Sequence, residues 1–175
     1  GHVRPNLRSY SEVVGVLEAV GEIRRADEVF ETAVQEGLVH LGGKNASEAN
    51  PVIDLHYFSV PMSRAAVRSV LTTQGQRLAR GGGATVTPAN ITIVTGRGKG
   101  SPSGKSVLGA SVRSMLREEL RVEVEELPEN PGAVIVRGAE LLQRFLAAVD
   151  GSVAFTGLLD DRRSDSGSGS GPVGL

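Results

Sequence analysis

Two residues with catalytic potential, Asp54 and His56, stand two positions apart in the sequence. They end a β-branched segment, 52–56, that is typical of a short strand. Since side chains alternate along a strand, both should point to the same face of a sheet. A carboxylate beside an imidazole can orient the ring and make it a better base. We predict a proton-transfer pair; the structural alternative, which the spacing alone favours, is that Asp54 caps a loop and His56 is partly in the core.

A glycine-rich loop, 96–105, follows the second predicted strand, 91–95. Glycines let backbone N–H groups approach an anion closely, and the loop leads into the N-terminus of a helix, which favours negative charge. The residues that suggest phosphate binding are Gly96, Arg97, Gly98, Lys99, Gly100, Gly104 and Lys105. We predict a phosphate-binding loop. The alternative is a glycine loop whose charged side chains are simply solvated.

The loop fits neither of two common nucleotide-binding motifs. A Walker A motif ending in Gly104-Lys105-Ser106 needs a glycine where Lys99 stands, and no apolar strand ending in Asp follows to hold magnesium. A Rossmann fingerprint needs a third glycine where Ser101 stands. A nucleotide hydrolase is therefore disfavoured.

The hydrophobic patterns predict the element order β-α-β-α-β-β-α across 52–149, which is an α/β sandwich with helices packed on a mixed sheet. The later predicted strands are 121–127, at an edge, and 133–137. Ser59 should cap a helix that extends to about Arg80, with Pro61 in its first turn. The first crossover makes strands one and two parallel neighbours, so both candidate segments should meet at one edge of the sheet.

A predicted helical hairpin, 7–41, precedes this domain. Its first helix has an apolar stripe at Val13, Val16, Leu17 and Val20, and Gly21 separates it from the second helix. A Gly/Asn-containing linker, 42–51, follows, so we expect the hairpin to be dispensable for the folding of 52–149. We predict that residues 1–6 are a disordered leader and that 150–175 are a mostly disordered Ser/Gly-rich tail.

Composition narrows the classes of function. The 175 residues include no Cys and no Trp, which excludes disulfide-linked partners, Cys-based metal sites and cysteine nucleophiles. The chain has only six aromatic residues, which disfavours an RNA-binding sheet that stacks bases on aromatic side chains. No apolar segment is long enough to span a bilayer, so we expect no membrane association.

The charge is unevenly distributed along a chain whose formal net charge is −1. Residues 55–117 hold nine basic and no acidic side chains, among them Arg64 and Arg68. Such a block predicts a polyanionic partner, nucleic acid, with Arg64 and Arg68 among its phosphate contacts. The alternative is a basic face that pairs with the acidic helices of the same molecule.

Two separated motifs in this order resemble the Smr (small MutS-related) domain. That family has an (L/I)-D-x-H strand, a Ser/Thr-capped helix, and an apolar strand ending in (H/T)-G-x-G. The corresponding residues here are Ile53-Asp54-Leu55-His56, Ser59 and Thr95-Gly96-Arg97-Gly98. The resemblance covers 52–149. The hairpin sequence, from Ser9 to Leu38, resembles one degenerate pentatricopeptide repeat, as in plant-type proteins that combine such repeats with a terminal Smr domain.

The resemblance implies a two-layer βαβαββ sandwich that binds nucleic acid, with RNA expected as the partner ahead of DNA, and that nicks the phosphodiester backbone of RNA or DNA as several family members do. Asp54 and His56 would be catalytic, or Asp54 would hold a divalent ion, Mg²⁺ or Mn²⁺. Thr95, Gly96, Arg97, Gly98 and Lys99 would form the phosphate loop. The resemblance also implies a chloroplast or mitochondrial location.

Two positions depart from the family pattern. Thr95 stands where bacterial relatives often have a second histidine, and Tyr57 replaces the glycine common after the first motif. Both departures bear on turnover more than on binding. The rival hypotheses are therefore a non-catalytic nucleic-acid-binding module and a protein-interaction adaptor in an organellar or ribosome-linked complex.

Overall fold

The computed structural model describes residues 5–43, 46–47, 51–80, 88–98 and 106–149. The helices are α1 Leu7–Ala19, α2 Ile23–Gln35, α3 Val60–Arg80, α4 Val107–Ser114 and α5 Gly138–Val149. The strands are β1 Val52–Asp54, β2 Ile91–Val94, β3 Val124–Glu126 and β4 Ala133–Val136. A π-helical segment, Met115–Glu119, continues α4. The predicted mixed α/β class and element order are confirmed. The predicted tail, 150–175, residues 1–4 of the predicted leader, and Lys99 and Lys105 lie outside the described residues.

The four strands form one mixed sheet in the order β1-β2-β4-β3. β1 and β2 are parallel, with Ile53 opposite Ile93, while β4 is antiparallel to both of its neighbours. The predicted parallel pairing and the edge position of β3 are confirmed. Because β4 begins beside the end of β2, with Ala133 opposite Val94, the carboxyl ends of β1 and β2 and the turn before β4 meet at one edge.

The described part of the predicted linker covers the free side of β1. Gly43 donates its backbone N–H to the Val52 carbonyl at 2.9 Å, and Gly42 forms an antiparallel bridge with Ile53. A Cβ added at Gly43 would lie 2.7 Å from Cγ1 of Val52, so glycine permits this close approach. The segment thus protects an edge strand from pairing elsewhere.

Helix α3 crosses the molecule and carries much of the core. The hydroxyl of Ser59 accepts the backbone N–H of Met62 at 3.4 Å, which confirms the predicted cap. Val67 and Leu71 are fully buried. Gly75 faces the ring of Phe145 on α5, and an added Cβ would lie only 2.3 Å from that ring. The two helices can therefore pack closely at this point. None of the described helices is long and apolar enough to cross a membrane.

The hairpin of α1 and α2 packs on α3, a contact that the predicted linker gave no reason to expect. Val14 on α1 and Phe30 on α2 are fully buried and belong to the same hydrophobic core as Leu71 on α3. The apolar stripe of α1 is only partly packed, because Leu17 contacts the core whereas Val16 and Val20 are about two-thirds exposed. The helix contacts the rest of the protein through the adjacent row of side chains, which includes Val14.

A cluster of buried ion pairs holds the hairpin on α3. The guanidinium of Arg68 donates from Nε to both carboxylate oxygens of Asp27, at 2.9 and 3.0 Å, and from Nη2 to Glu18. Arg64 donates from Nε to Glu18 at 3.0 Å and from Nη2 to Glu119 at 2.7 Å. Burial alone would lower the pKa of Arg68, but its hydrogen bonds and the two carboxylates raise it.

These contacts contradict the prediction that Arg64 and Arg68 bind phosphate. The Arg68 side chain is 4% exposed, and carboxylates surround its donors. Arg64 is 19% exposed and is bound by two glutamates. Both residues hold the hairpin and the sheet domain together.

Candidate active site

The pair Asp54 and His56 forms at the end of β1. Ile53 and Leu55 are buried, whereas Asp54 and His56 lie on the opposite face and are partly exposed. Nδ1 of His56 lies 2.5 Å from Oδ1 of Asp54, and the same oxygen accepts the backbone N–H of His56 at 3.0 Å. The predicted carboxylate–imidazole contact is confirmed. The capping role considered as its alternative is present too, because one carboxylate oxygen makes both bonds.

The hydrogen bond to Asp54 leaves Nε2 of His56 as the basic nitrogen. Neutral imidazole has one donor and one acceptor nitrogen, and a carboxylate selects Nδ1 as the donor. Nε2 lies against Gly96 of the next strand end, where an added Cβ would be 3.1 Å away. Gly96 has φ +77°, a conformation that favours glycine. The basic nitrogen therefore faces the start of the predicted phosphate loop.

The start of that loop is fixed by the turn before β4, which changes the predicted roles of two residues. The carbonyl of Gly132 accepts the backbone N–H groups of Thr95 at 2.7 Å and Gly96 at 3.0 Å, and the Thr95 hydroxyl at 3.2 Å. Thr95 is 5% exposed. Both backbone donors are taken by Gly132, so Thr95 and Gly96, predicted members of the phosphate loop, shape its start and do not offer these N–H groups to an anion. They hold the loop in place.

The described residues of the loop after Gly96 are Arg97 and Gly98. Arg97 is exposed, with Nη2 3.4 Å from the carbonyl of Glu129. Gly98 has φ +73°, so the chain turns again in a conformation that glycine adopts easily. Arg97 is thus the exposed, described cation that directly follows Gly96.

The N-terminus of α4 packs against the end of β2. Ser106 caps the helix by accepting the backbone N–H of Gly109 at 3.0 Å, and its hydroxyl donates to the Thr95 carbonyl at 3.3 Å. A Cβ at Gly109 would lie 2.9 Å from the Thr95 hydroxyl, so this glycine allows the approach. The sequence pattern identified the helix but gave no sign of the contact between its first turn and Thr95.

Two more basic residues of the 55–117 block serve the fold. Arg113 forms a two-pronged contact with Glu126 and donates to the Pro131 carbonyl at 3.1 Å. Its hydrogen bond, with help from Arg117, lowers the pKa of Glu126. Arg113, Arg117, Arg64 and Arg68 therefore follow the alternative considered above, in which the basic block pairs with acidic groups of the same molecule.

Gly132 is a supporting residue that sequence reasoning missed, and a substitution there tests its role. A Cβ at this position would lie 2.8 Å from the backbone of Gly96. We expect Gly132→Ala to displace the loop from His56 and therefore to shift the ring resonances of His56. Gly42→Ala is the matched control, since its Cβ would meet nothing nearer than 4.0 Å. Unchanged His56 resonances in Gly132→Ala, measured by NMR, would show that the contact does not position the loop.

The donor set at this edge does not fit a resident metal ion. Among the residues that the structure describes, no group of three or more His, Asp or Glu side chains is placed to hold one. Asp54 offers a single carboxylate, and one of its oxygens already accepts two hydrogen bonds from His56. A dedicated protein site for a divalent ion supplies more oxygen ligands than this, whereas Mg²⁺ held by one carboxylate depends on substrate phosphates and water for its remaining ligands. We derive no chemical step through a metal.

A cavity of about 410 Å³ lies elsewhere, beside the edge strand β3. Its walls include Arg121, Glu123 and Arg144, and it shares no residue with the Asp54–His56 pair. The pair instead lies at the carboxyl end of β1, and both of its side chains are partly exposed.

The geometry combines a carboxylate-held imidazole, an adjacent glycine loop and an exposed arginine at the carboxyl edge of two parallel strands. Ligands of α/β sheets bind at such edges. No protein-family model and no curated protein sequence matches the chain. The resemblance to Smr domains and to a pentatricopeptide repeat therefore stays a prediction, carried by the motif residues and their arrangement.

Proposed function

We propose that this protein is an Smr-like nucleic-acid-binding protein that cleaves the phosphodiester backbone of RNA at the Asp54–His56 edge. The observation that carries the proposal is the position of Nε2 of His56, held by Asp54 through Nδ1 and facing Gly96. Proton-transfer groups and a loop suited to phosphate thus meet at one place. The element order and the two motifs support the two-layer βαβαββ sandwich of that family.

The chemistry that fits these groups is an internal attack by the ribose. Nε2 of His56 takes the proton of the 2′-hydroxyl, and the 2′-oxygen forms a bond to phosphorus. The bond from phosphorus to the 5′-oxygen breaks, and that oxygen takes a proton from water. The products are a 2′,3′-cyclic phosphate and a 5′-hydroxyl end. Asp54 stabilises the imidazolium that forms, and Arg97 stabilises the charge that develops on the phosphate oxygens.

RNA is favoured over DNA because its own hydroxyl is the nucleophile. A DNA strand needs an external nucleophile, which hydrolytic enzymes often generate with a bound metal ion. The described residues lack a set of metal ligands at this edge. The internal route needs only a base and a group that stabilises negative charge, and His56 and Arg97 have the chemistry for these two roles.

A non-catalytic binding module is the second candidate, and one observation favours it. Oδ1 of Asp54 accepts the backbone N–H of His56, so the carboxylate also has a structural role in the turn. In that case the loop and Arg97 would bind phosphate and the imidazole would transfer no proton. The two candidates differ in whether bound RNA is cut.

The affinity for RNA should fall as the salt concentration rises, and a small number of phosphate contacts sets the slope. With four arginines of the basic block in ion pairs, the loop supplies Arg97, Lys99 and Lys105. For three contacts on a single strand we expect log K to fall against log salt with a slope of about −2. Fluorescence anisotropy with a labelled single-stranded RNA between about 50 and 200 mM salt measures this slope.

Two variants calibrate that measurement. Arg97→Ala should reduce the magnitude of the slope by about 0.7, the value for one lost phosphate contact on a single strand. Arg137→Ala should leave it unchanged, since Arg137 is an exposed residue paired with Glu125, at the opposite end of β4 from the loop. A slope near zero for the wild type would overturn phosphate binding by the loop.

A further inference from the structure

Tyr57, the residue after His56, has a backbone conformation and an exposure that the fold does not explain. Its φ is +71°, in the left-handed region, and its side chain is fully exposed. It lies in a tight turn closed by the backbone N–H of Phe58, which donates to the Leu55 carbonyl at 3.2 Å. Turns of this geometry favour glycine at the third position, because a Cβ is strained there.

The ring of Tyr57 contributes nothing to packing that would offset this strain. It is among the large hydrophobic side chains that the described part of the chain leaves exposed, and the most exposed of them. Among the described residues its ring contact is with His56, with ring centroids 6.2 Å apart and planes inclined by 49°. A glycine would suit the backbone conformation at this position better. A role of the tyrosine in binding a ligand, separate from folding, would explain its presence.

The place of Tyr57 indicates what its ring could contact. It adjoins His56, whose Nε2 faces Gly96 at the start of the loop assigned to phosphate. A nucleotide whose phosphate lies at that loop carries its base to one side of the backbone. An exposed aromatic face beside a phosphate site matches the way proteins hold unpaired bases, by stacking them on tyrosine and similar rings.

We propose that Tyr57 stacks on an unpaired nucleobase next to the phosphate at the His56 edge, so that the site selects single-stranded over duplex nucleic acid. The inference rests on the proposed function, since it needs a polynucleotide bound at this edge. In a duplex, neighbouring base pairs cover both faces of each base, and the ring has no free face to meet.

The test compares Tyr57→Gly with Tyr57→Phe in the full chain. The probes are a labelled single-stranded RNA and a duplex RNA that contains the same strand. We expect Tyr57→Gly to bind the single strand about 5- to 150-fold more weakly, as the loss of one stacked base predicts. Tyr57→Phe should stay close to the wild type, because it keeps the aromatic face. Duplex affinity should be weak and the same in all three proteins.

A thermal melt separates stacking from damage to the fold. Glycine relieves the left-handed strain, so Tyr57→Gly should melt no lower than Tyr57→Phe. If Tyr57→Gly binds the single strand as well as the wild type does, the stacking inference is overturned while the proposed function stands. If the wild type binds neither RNA, both are overturned. A loss of affinity that is equal for single strand and duplex would overturn the selection for unpaired bases.

Discussion

Replacing His56 by alanine is expected to lower the rate of RNA cleavage by about 10²–10⁴ while the Kd for RNA changes only a few-fold. The imidazole moves a proton in the transition state and carries little charge to the bound phosphate. Asp54→Asn should act in the same direction, since an amide cannot stabilise the imidazolium as a carboxylate does. Single-turnover cleavage and anisotropy on one labelled RNA measure the two quantities separately.

Arg97→Ala is the matched comparison, and unlike His56→Ala it should lose affinity for RNA as well as cleavage. Its guanidinium is exposed beside the loop and should contact phosphate before and during reaction. Affinity should therefore fall together with cleavage. If His56→Ala cuts as fast as the wild type, the cleaving group lies elsewhere. If His56→Ala and Asp54→Asn unfold the protein, the pair is structural and the capping bond of Asp54 is its main role.

The second large effect concerns stability. Replacing Arg68 by methionine should lower the free energy of unfolding by about 3 kcal/mol, the lower end for a buried ion pair, because it leaves the partly buried carboxylate of Asp27 without its cation. The Arg68 side chain is 4% exposed and Asp27 is 19% exposed, so solvent screens the pair poorly. Denaturant unfolding followed by circular dichroism measures the change.

Two further variants identify the cause of that loss. Adding Asp27→Leu to Arg68→Met should recover part of the stability, since an apolar pair can replace a buried ion pair, and Arg68 already lies 3.7 Å from the sulfur of Met115. Arg137→Met removes an exposed ion pair with Glu125 and should cost no more than about 1 kcal/mol. Equal losses for Arg68→Met and Arg137→Met would contradict a structural role for the buried cluster.

The parts of the fold that depend on local pattern could be predicted from sequence. Alternation along 52–56 placed Asp54 and His56 on one face, and a right-handed crossover between parallel strands brought their end beside Gly96. Ser59 marked the start of α3 because a capping hydroxyl needs only the next turn of the helix. These features depend on neighbours in sequence or on rules of sheet topology.

The sequence-based predictions failed where a residue contacts a partner that is distant in sequence. Arg68 is 41 residues from Asp27 and 50 from Glu18, so the local charge block gave no sign of its burial. The donors of Thr95 and Gly96 are taken by the carbonyl of Gly132, from a turn that looked like a simple connection. The glycines at 42 and 43 resembled a linker, yet they pair with β1 and help to join the hairpin to the sheet.

The most direct test of cleavage at the Asp54–His56 edge is incubation of the wild-type protein with a 5′-labelled single-stranded RNA, with and without EDTA. His56→Ala, purified in the same way, runs alongside to exclude a contaminating nuclease. We expect the wild type to cut the RNA in both conditions, to leave 2′,3′-cyclic phosphate ends, and to spare a DNA strand of the same sequence. RNA that is bound but stays intact in every condition would contradict catalysis and leave a binding module.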